Sequence, residues 1–383
     1  MTGFVLASAW GPWAIILLLA LGVLGLWLIA GRFGPRLRMG LRAGAAILAL
    51  VPVALLAGAS ALQAARLSLD GQKPTTGQFV DVGGYRAYVL CEGPAAGGTI
   101  VWLPGGYSLG AMMSPLHERI KAERRSCLID RPGTGWADDA PLPRTTDDIL
   151  RELQAALAGA GERGPFVLAG HSMGGLYAVN YAEAYPAEVR AVILLDPTPT
   201  LWFVEMAERM GCGPQYREDL SMWSAVFGLG LVRGLNPMWG PWTRDRQEIF
   251  GEAWDVIAAQ ETMPRTLAAE WSAGNHACTH PVAHIRTPGA LNDLPLLKLV
   301  QSPPADRMAA APPEYSQRVR RNWVRLQEAW EGEHLALTRK AQLVRAPAGF
   351  GHMFPITEAD WTIDQIRPFL ASLDGDQAHG ETP

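Results

Sequence analysis

Hydrophobic and polar positions follow two regimes along this chain. Residues 1–65 are apolar almost throughout, broken by one short basic stretch. From Gln78 onward, short apolar runs recur, separated by segments of helical periodicity. Residues 79–82 and 85–91 flank Gly83-Gly84 and predict a hairpin. Runs at 99–103, 126–130, 165–170 and 189–196 predict four buried strands. Residues 146–160 carry a helical pattern with Asp147 and Asp148 in the first turn, and another helix begins near Gly175. Strands alternating with helices predict a mostly parallel sheet covered on both faces. From 197 to 294 the strand signal vanishes, while tryptophan and methionine recur (Trp202, Met206, Trp239, Trp254, Trp271 among them). That stretch predicts a helical insertion over the carboxyl ends of the strands. Residues 295–300 resume the sheet, 318–336 read as a helix and 341–346 as the last strand. A closing helix begins at 364–370, and 373–383 reads as a disordered tail.

The first regime has its own meaning. Residues 4–30 carry no charge and hold Trp10, Trp13 and Trp27 near their ends, where amphipathic rings favour a membrane interface. Residues 43–65 form a second uncharged stretch. Both are long enough to span a bilayer. The loop between them carries Arg32, Arg36, Arg38 and Arg42, which the positive-inside rule assigns to the cytoplasm. The expectation is a transmembrane helical hairpin at 1–65 and a linker at 66–77, with everything after Ala65 outside the cytoplasm. Such a chain is a multi-pass protein of a bacterial inner membrane. Pro52 kinks the second span, which membranes tolerate. The rival reading is a signal peptide, with the arginines as its basic region and Ala59-Ser60-Ala61 as its cleavage site.

Composition narrows the partners. Of 383 residues, 49% are hydrophobic and 18% charged, a balance that points to a membrane or an apolar substrate. The net charge of −4 and the absence of a basic tract interleaved with aromatics exclude nucleic acid. Four cysteines are too few for a disulfide-built scaffold and match no zinc spacing. Cys91 and Cys127 fall in separate strands, Cys212 and Cys278 in the helical region. The expectation is buried free thiols, with disulfides only in an oxidising compartment.

The chemistry concentrates at Gly170-His171-Ser172-Met173-Gly174, between a predicted strand and a predicted helix. Gly-x-Ser-x-Gly in that setting is a nucleophile elbow, which presents the serine hydroxyl at the top of a sheet. Three further motifs stand in order: Leu103-Pro104-Gly105-Gly106, Asp130-Arg131-Pro132-Gly133-Thr134-Gly135-Trp136, and Gly351-His352 after the last strand. With these, residues 78–372 resemble the α/β-hydrolase family. The resemblance implies a mostly parallel eight-stranded sheet with helices on both faces and a helical cap at 197–294, dividing the core into 78–196 and 295–372.

It also implies roles. Ser172 is the nucleophile and His352 the base. The backbone N–H groups of Met173 and Gly106 form the oxyanion hole. Many relatives have His-Gly where this chain has Pro104-Gly105, so the side chain that braces that loop is missing. Two residues compete for the triad acid: Asp196, directly after the sixth strand, and Asp306, after the seventh. Asp196 is favoured, and Asp293 stands at the wrong end of its strand. His171 is assigned to packing or hydrogen bonding, and Asp130 and Arg131 to shaping the adjacent loop. His276, His280 and His284 invite a metal, but no acidic pattern accompanies them. No metal or organic cofactor is expected.

The expected activity is that of a membrane-anchored serine hydrolase on carboxylic esters with apolar acyl or aromatic groups, soluble or lipid-derived. Acyl transfer or amide cleavage on the same triad is the alternative, and a non-catalytic binding protein on this scaffold is a third reading.

Overall fold

The computed structural model describes residues 32–44, 76–204, 248–302 and 317–380, apart from scattered positions within these ranges. The chain forms two compact units. One comprises Met1–Lys73, Pro214–Arg244 and Thr262–Ala268; the other comprises Pro74–Gly213, Asp245–Glu261 and Ala269–Pro383. The second contains the sheet.

Eight strands follow the apolar runs: β1 Gln78–Asp81, β2 Arg86–Glu92, β3 Ile100–Leu103, β4 Ser126–Asp130, β5 Phe166–His171, β6 Val189–Leu195, β7 Leu296–Val300 and β8 Ala341–Arg345. Their spatial order is β1-β2-β4-β3-β5-β6-β7-β8. β2 runs antiparallel to both β1 and β4, and all other pairs are parallel. This is the expected α/β architecture. Helices among the described residues include α1 Ser114–Ile120, α2 Thr146–Gly159, α3 Met173–Ala184, α4 Pro264–Thr279, α5 Gln317–Leu335, α6 Phe354–Thr357 and α7 Ala359–Gly380.

The central strands are buried on both faces, so they read as continuous apolar runs rather than alternating ones. Along β3, Val101 and Leu103 join a core containing Leu150, Leu153 and Leu157 of α2 and Leu176 of α3. Ile100 and Trp102 join the opposite core, with Leu116 and Ile120 of α1 and Ile363 and Ile366 of α7. The two-residue period of a strand thus distributes one short run between two cores. α2 starts where Thr145, in extended conformation, accepts the Asp148 N–H on its side chain. That capping interaction satisfies an amide the helix cannot.

Three expectations change. The closing helix begins at Ala359, ahead of 364, and runs to Gly380 through most of the segment read as a disordered tail. Asp374 anchors it by ion pairs to Arg124 and Arg190. Cys91 and Cys127 are not free thiols. They stand opposite each other in the β2–β4 register and form a disulfide. Cys278 is also disulfide-bonded. The expected hairpin at 1–65 lies outside the described residues apart from its basic loop, as do Asp306 and Cys212. Among the described residues no helix is long and apolar enough to cross a membrane.

Candidate active site

Ser172 sits between β5 and α3 at φ 52° and ψ −120°, a backbone state that side chains disfavour. The elbow exists because its flanking glycines allow it. A Cβ on Gly170 would lie 2.3 Å from the Gly174 carbonyl oxygen, and one on Gly174 would lie 2.0 Å from the Leu103 carbonyl oxygen. The helix therefore starts directly above the strand, close against β3.

Asp196 follows β6 with φ 44°, a second strained residue at the same carboxyl edge. Its Oδ1 accepts the Gln301 N–H at 2.9 Å, and its Oδ2 lies 2.6 Å from His352 Nδ1. A carboxylate only accepts, so Nδ1 donates in this contact. His352 lies between β8 and α6, with its side chain 48% exposed, while that of Asp196 is 10% exposed. The carboxylate is sheltered and the imidazole reaches solvent.

His171, the residue before the serine, is buried and braces this assembly. Its Nε2 donates to the His352 carbonyl oxygen at 3.1 Å, and the two rings lie 4.8 Å apart. Burial first, and the neighbouring His352 second, lower its pKa to about 4. It is therefore neutral at physiological pH. The hydrogen-bonding role expected for it is the one it has.

Sequence reasoning overlooked Thr198. Its hydroxyl lies 3.2 Å from Ser172 Oγ, and its N–H donates to the Ser172 carbonyl at 3.0 Å. Among the described residues the Ser172 hydroxyl bonds to Thr198 and not to His352. Catalytic hydrogen bonds in unliganded enzymes are often long and tighten only once substrate is bound. The Pro197-Thr198 sequence after a strand carries no signal that could have flagged this contact.

Gly106 and Met173 lie side by side: a Cβ on Gly106 would be 3.3 Å from Met173 Sδ. Among the described residues neither backbone N–H has a hydrogen-bond acceptor. Met173 opens α3, where the helix dipole favours negative charge. Two backbone donors so placed beside Ser172 could receive a negatively charged oxygen.

Asp130 holds the adjacent loops, accepting the Gly110 N–H at 2.7 Å and the Trp136 N–H at 2.9 Å. Arg131 is 6% exposed and bonds to the loop after β3 and to Glu270 of α4. His276 and His280 stack at 4.5 Å, while His284 packs near Phe203. Two other clusters have the spacing of metal ligands among the described residues. In one, Cys91 and Cys127 are joined by the disulfide and Glu162 is paired with Arg125; in the other, Glu92 is shared between His117 and Lys121.

A second serine–histidine–carboxylate chain runs through the core. Ser126 Oγ lies 2.8 Å from His117 Nδ1, and His117 Nε2 lies 2.9 Å from Glu92 Oε2. Ser126 is fully buried and its oxygen also accepts the Trp102 indole N–H at 2.8 Å. It has no face for a substrate, so this chain ties β2, β3, β4 and α1 together.

Comparison with known proteins agrees with the fold. Uncharacterized protein YbdG of Bacillus subtilis is 32% identical over 122 residues, covering 31% of this chain and 37% of that protein. A pimeloyl-[acyl-carrier protein] methyl ester esterase of Xylella fastidiosa is 30% identical over 121 residues, covering 32% of this chain and 40% of that one. The chain thus spans well under half the length of these relatives. A crystal structure described as a probable hydrolytic enzyme of Pseudomonas aeruginosa superposes with a TM-score of 0.51 at 21% identity, over 78% of this chain and 94% of that one. That likeness concerns the fold alone. The model of the alpha/beta hydrolase family matches residues 100–365, from the start of β3 into α7. The chain belongs to the alpha/beta hydrolase family.

Proposed function

We propose that this chain is a membrane-tethered serine hydrolase that cleaves carboxylic esters with apolar acyl or aromatic groups. The observation that carries the reading is the 2.6 Å contact between His352 Nδ1 and Asp196 Oδ2 at the same sheet edge as the strained Ser172. Ser172 Oγ attacks the ester carbonyl carbon while His352 Nε2 takes its proton. Asp196 stabilises the resulting imidazolium. The N–H groups of Gly106 and Met173 receive the oxyanion. Collapse expels the alcohol with the proton from His352 and leaves an acyl-Ser172 ester. Water, deprotonated by His352, then attacks that ester and releases the carboxylic acid.

Serine at position 172 supports ester chemistry over an alkyl-enzyme mechanism, which requires a carboxylate there. The methyl ester esterase among the relatives points the same way. The uncharged stretches at 4–30 and 43–65 support the tether. The Cys91–Cys127 disulfide supports a domain outside the cytoplasm, where such bonds persist.

Labelling with a fluorophosphonate probe tests the reading. The wild-type chain is expected to label, Ser172→Ala to lose the label, and hydrolysis of p-nitrophenyl esters to be lost with it. Undiminished labelling of Ser172→Ala overturns the assignment.

A further inference from the structure

We propose that Arg131 and Glu270 are a positioning pair that aims the Gly106 N–H, the oxyanion donor contributed by the loop after β3. The proposal rests on Ser172 being the nucleophile.

That loop has little to hold it. Pro104 has no N–H to anchor and no polar side chain, and Gly105 and Gly106 have no side chains at all. The buried ion pair replaces them. The Arg131 guanidinium donates to the Pro104 carbonyl at 3.2 Å and to the Gly105 carbonyl at 3.3 Å. It also meets Glu270 Oε1 at 2.7 Å, and Glu270 Oε2 accepts the Tyr107 N–H at 3.0 Å. Arg131 is 6% exposed and Glu270 3% exposed, so neither contact is diluted by water.

The geometry of the peptide bond turns these contacts into an orientation. In a planar trans peptide, the C=O and N–H point in opposite directions. Holding the Gly105 carbonyl toward Arg131 therefore aims the Gly106 N–H away from it. The following peptide is held from its other end: the Tyr107 N–H points at Glu270, so the Gly106 carbonyl points away. Both peptide planes flanking Gly106 are pinned by one ion pair. Tyr107 is consequently held at φ 56°, a state a free loop would leave. Arg131 comes from the segment after β4 and Glu270 from α4, so the donor is set by two elements outside its own loop. Neither residue touches the reacting atoms; both act through the backbone.

The test compares Arg131→Ala, Glu270→Ala, the double variant and the conservative Glu270→Gln, using the full chain. Fluorophosphonate labelling of wild type at Ser172 comes first; its absence refutes the nucleophile reading rather than the pair. With that label present, each alanine variant is expected to lose about 100-fold in kcat on a p-nitrophenyl ester, the scale of one missing oxyanion donor, with KM changed by less than about threefold. Affinity for an arylboronic acid, which becomes tetrahedral on the serine, falls in parallel. The double variant falls no further than either single variant. Glu270→Gln keeps an acceptor for the Tyr107 N–H and recovers at least about tenfold over Glu270→Ala; it also reports on the site if an alanine variant does not fold. Unchanged kcat in folded variants, or losses confined to KM and melting temperature, overturns the proposal.

Discussion

Asp196 Oδ2 meets His352 Nδ1 at 2.6 Å across 156 residues of chain. Asp196, the proposed acid, stands at the end of β6, and the competing Asp306 follows β7 in the sequence. Asp196→Asn keeps the shape but favours the wrong imidazole tautomer. It is expected to lower kcat by about 10³–10⁴-fold with the melting temperature nearly unchanged, as steady-state kinetics and thermal melting will show. Asp306→Asn is expected to retain near-normal kcat. The opposite pattern would transfer the acid role to Asp306.

Gly174→Ala introduces a methyl group 2.0 Å from the Leu103 carbonyl oxygen, a backbone atom that cannot rotate aside. Strand and helix must separate. The expected result is a loss of more than about 3 kcal/mol of stability, read as insoluble expression or a collapsed denaturant midpoint.

Stability should fall with acidity. The pKa of His171 is lowered from 6.5 to about 4 by burial, and that of His284 likewise. Between those values the unfolded chain binds protons that the folded chain refuses. Stability is therefore full above pH 6.5 and declines as pH drops towards 4, by up to about 3 kcal/mol for His171. Denaturant titrations at pH 7 and 4.5 should differ accordingly, and the difference should shrink in His171→Gln. A flat profile would count against this account.

The Cys91–Cys127 bond restrains the unfolded chain over a separation of 36 residues. The Cys91→Ala/Cys127→Ala variant is expected to lose about 2–4 kcal/mol. Thermal melting checks the loss, and mass spectrometry without reduction should recover the 91–127 cross-link.

The strands were legible because parallel strands buried on both faces write themselves as unbroken apolar runs. The elbow was legible because its glycines stand where only a hydrogen avoids backbone oxygens. Motif order singled out Ser172 and His352, and the structure places both at the carboxyl ends of strands. What escaped depends on distance across the fold. The cysteine pairing is a matter of β2–β4 register, which neither strand records alone. That Asp196 meets His352 turned on which loop approaches it. Glu270 reads in sequence as an ordinary helix residue, and its partner Arg131 lies 139 positions earlier. The tail misled because its polar composition conceals Asp374, whose two arginine partners come from β6 and the segment before β4.

Placing Asp196 ahead of residue 197 has a consequence for how this chain can diversify. In the proposed mechanism, Ser172 and Asp196 both precede residues 197–294 and His352 follows them. Under that mechanism, substrate preference could be rewritten within 197–294 without reordering the three residues of the relay. Thr198, bonded to Ser172, and the carboxylate at 270, clasped to Arg131, are what such remodelling would have to spare.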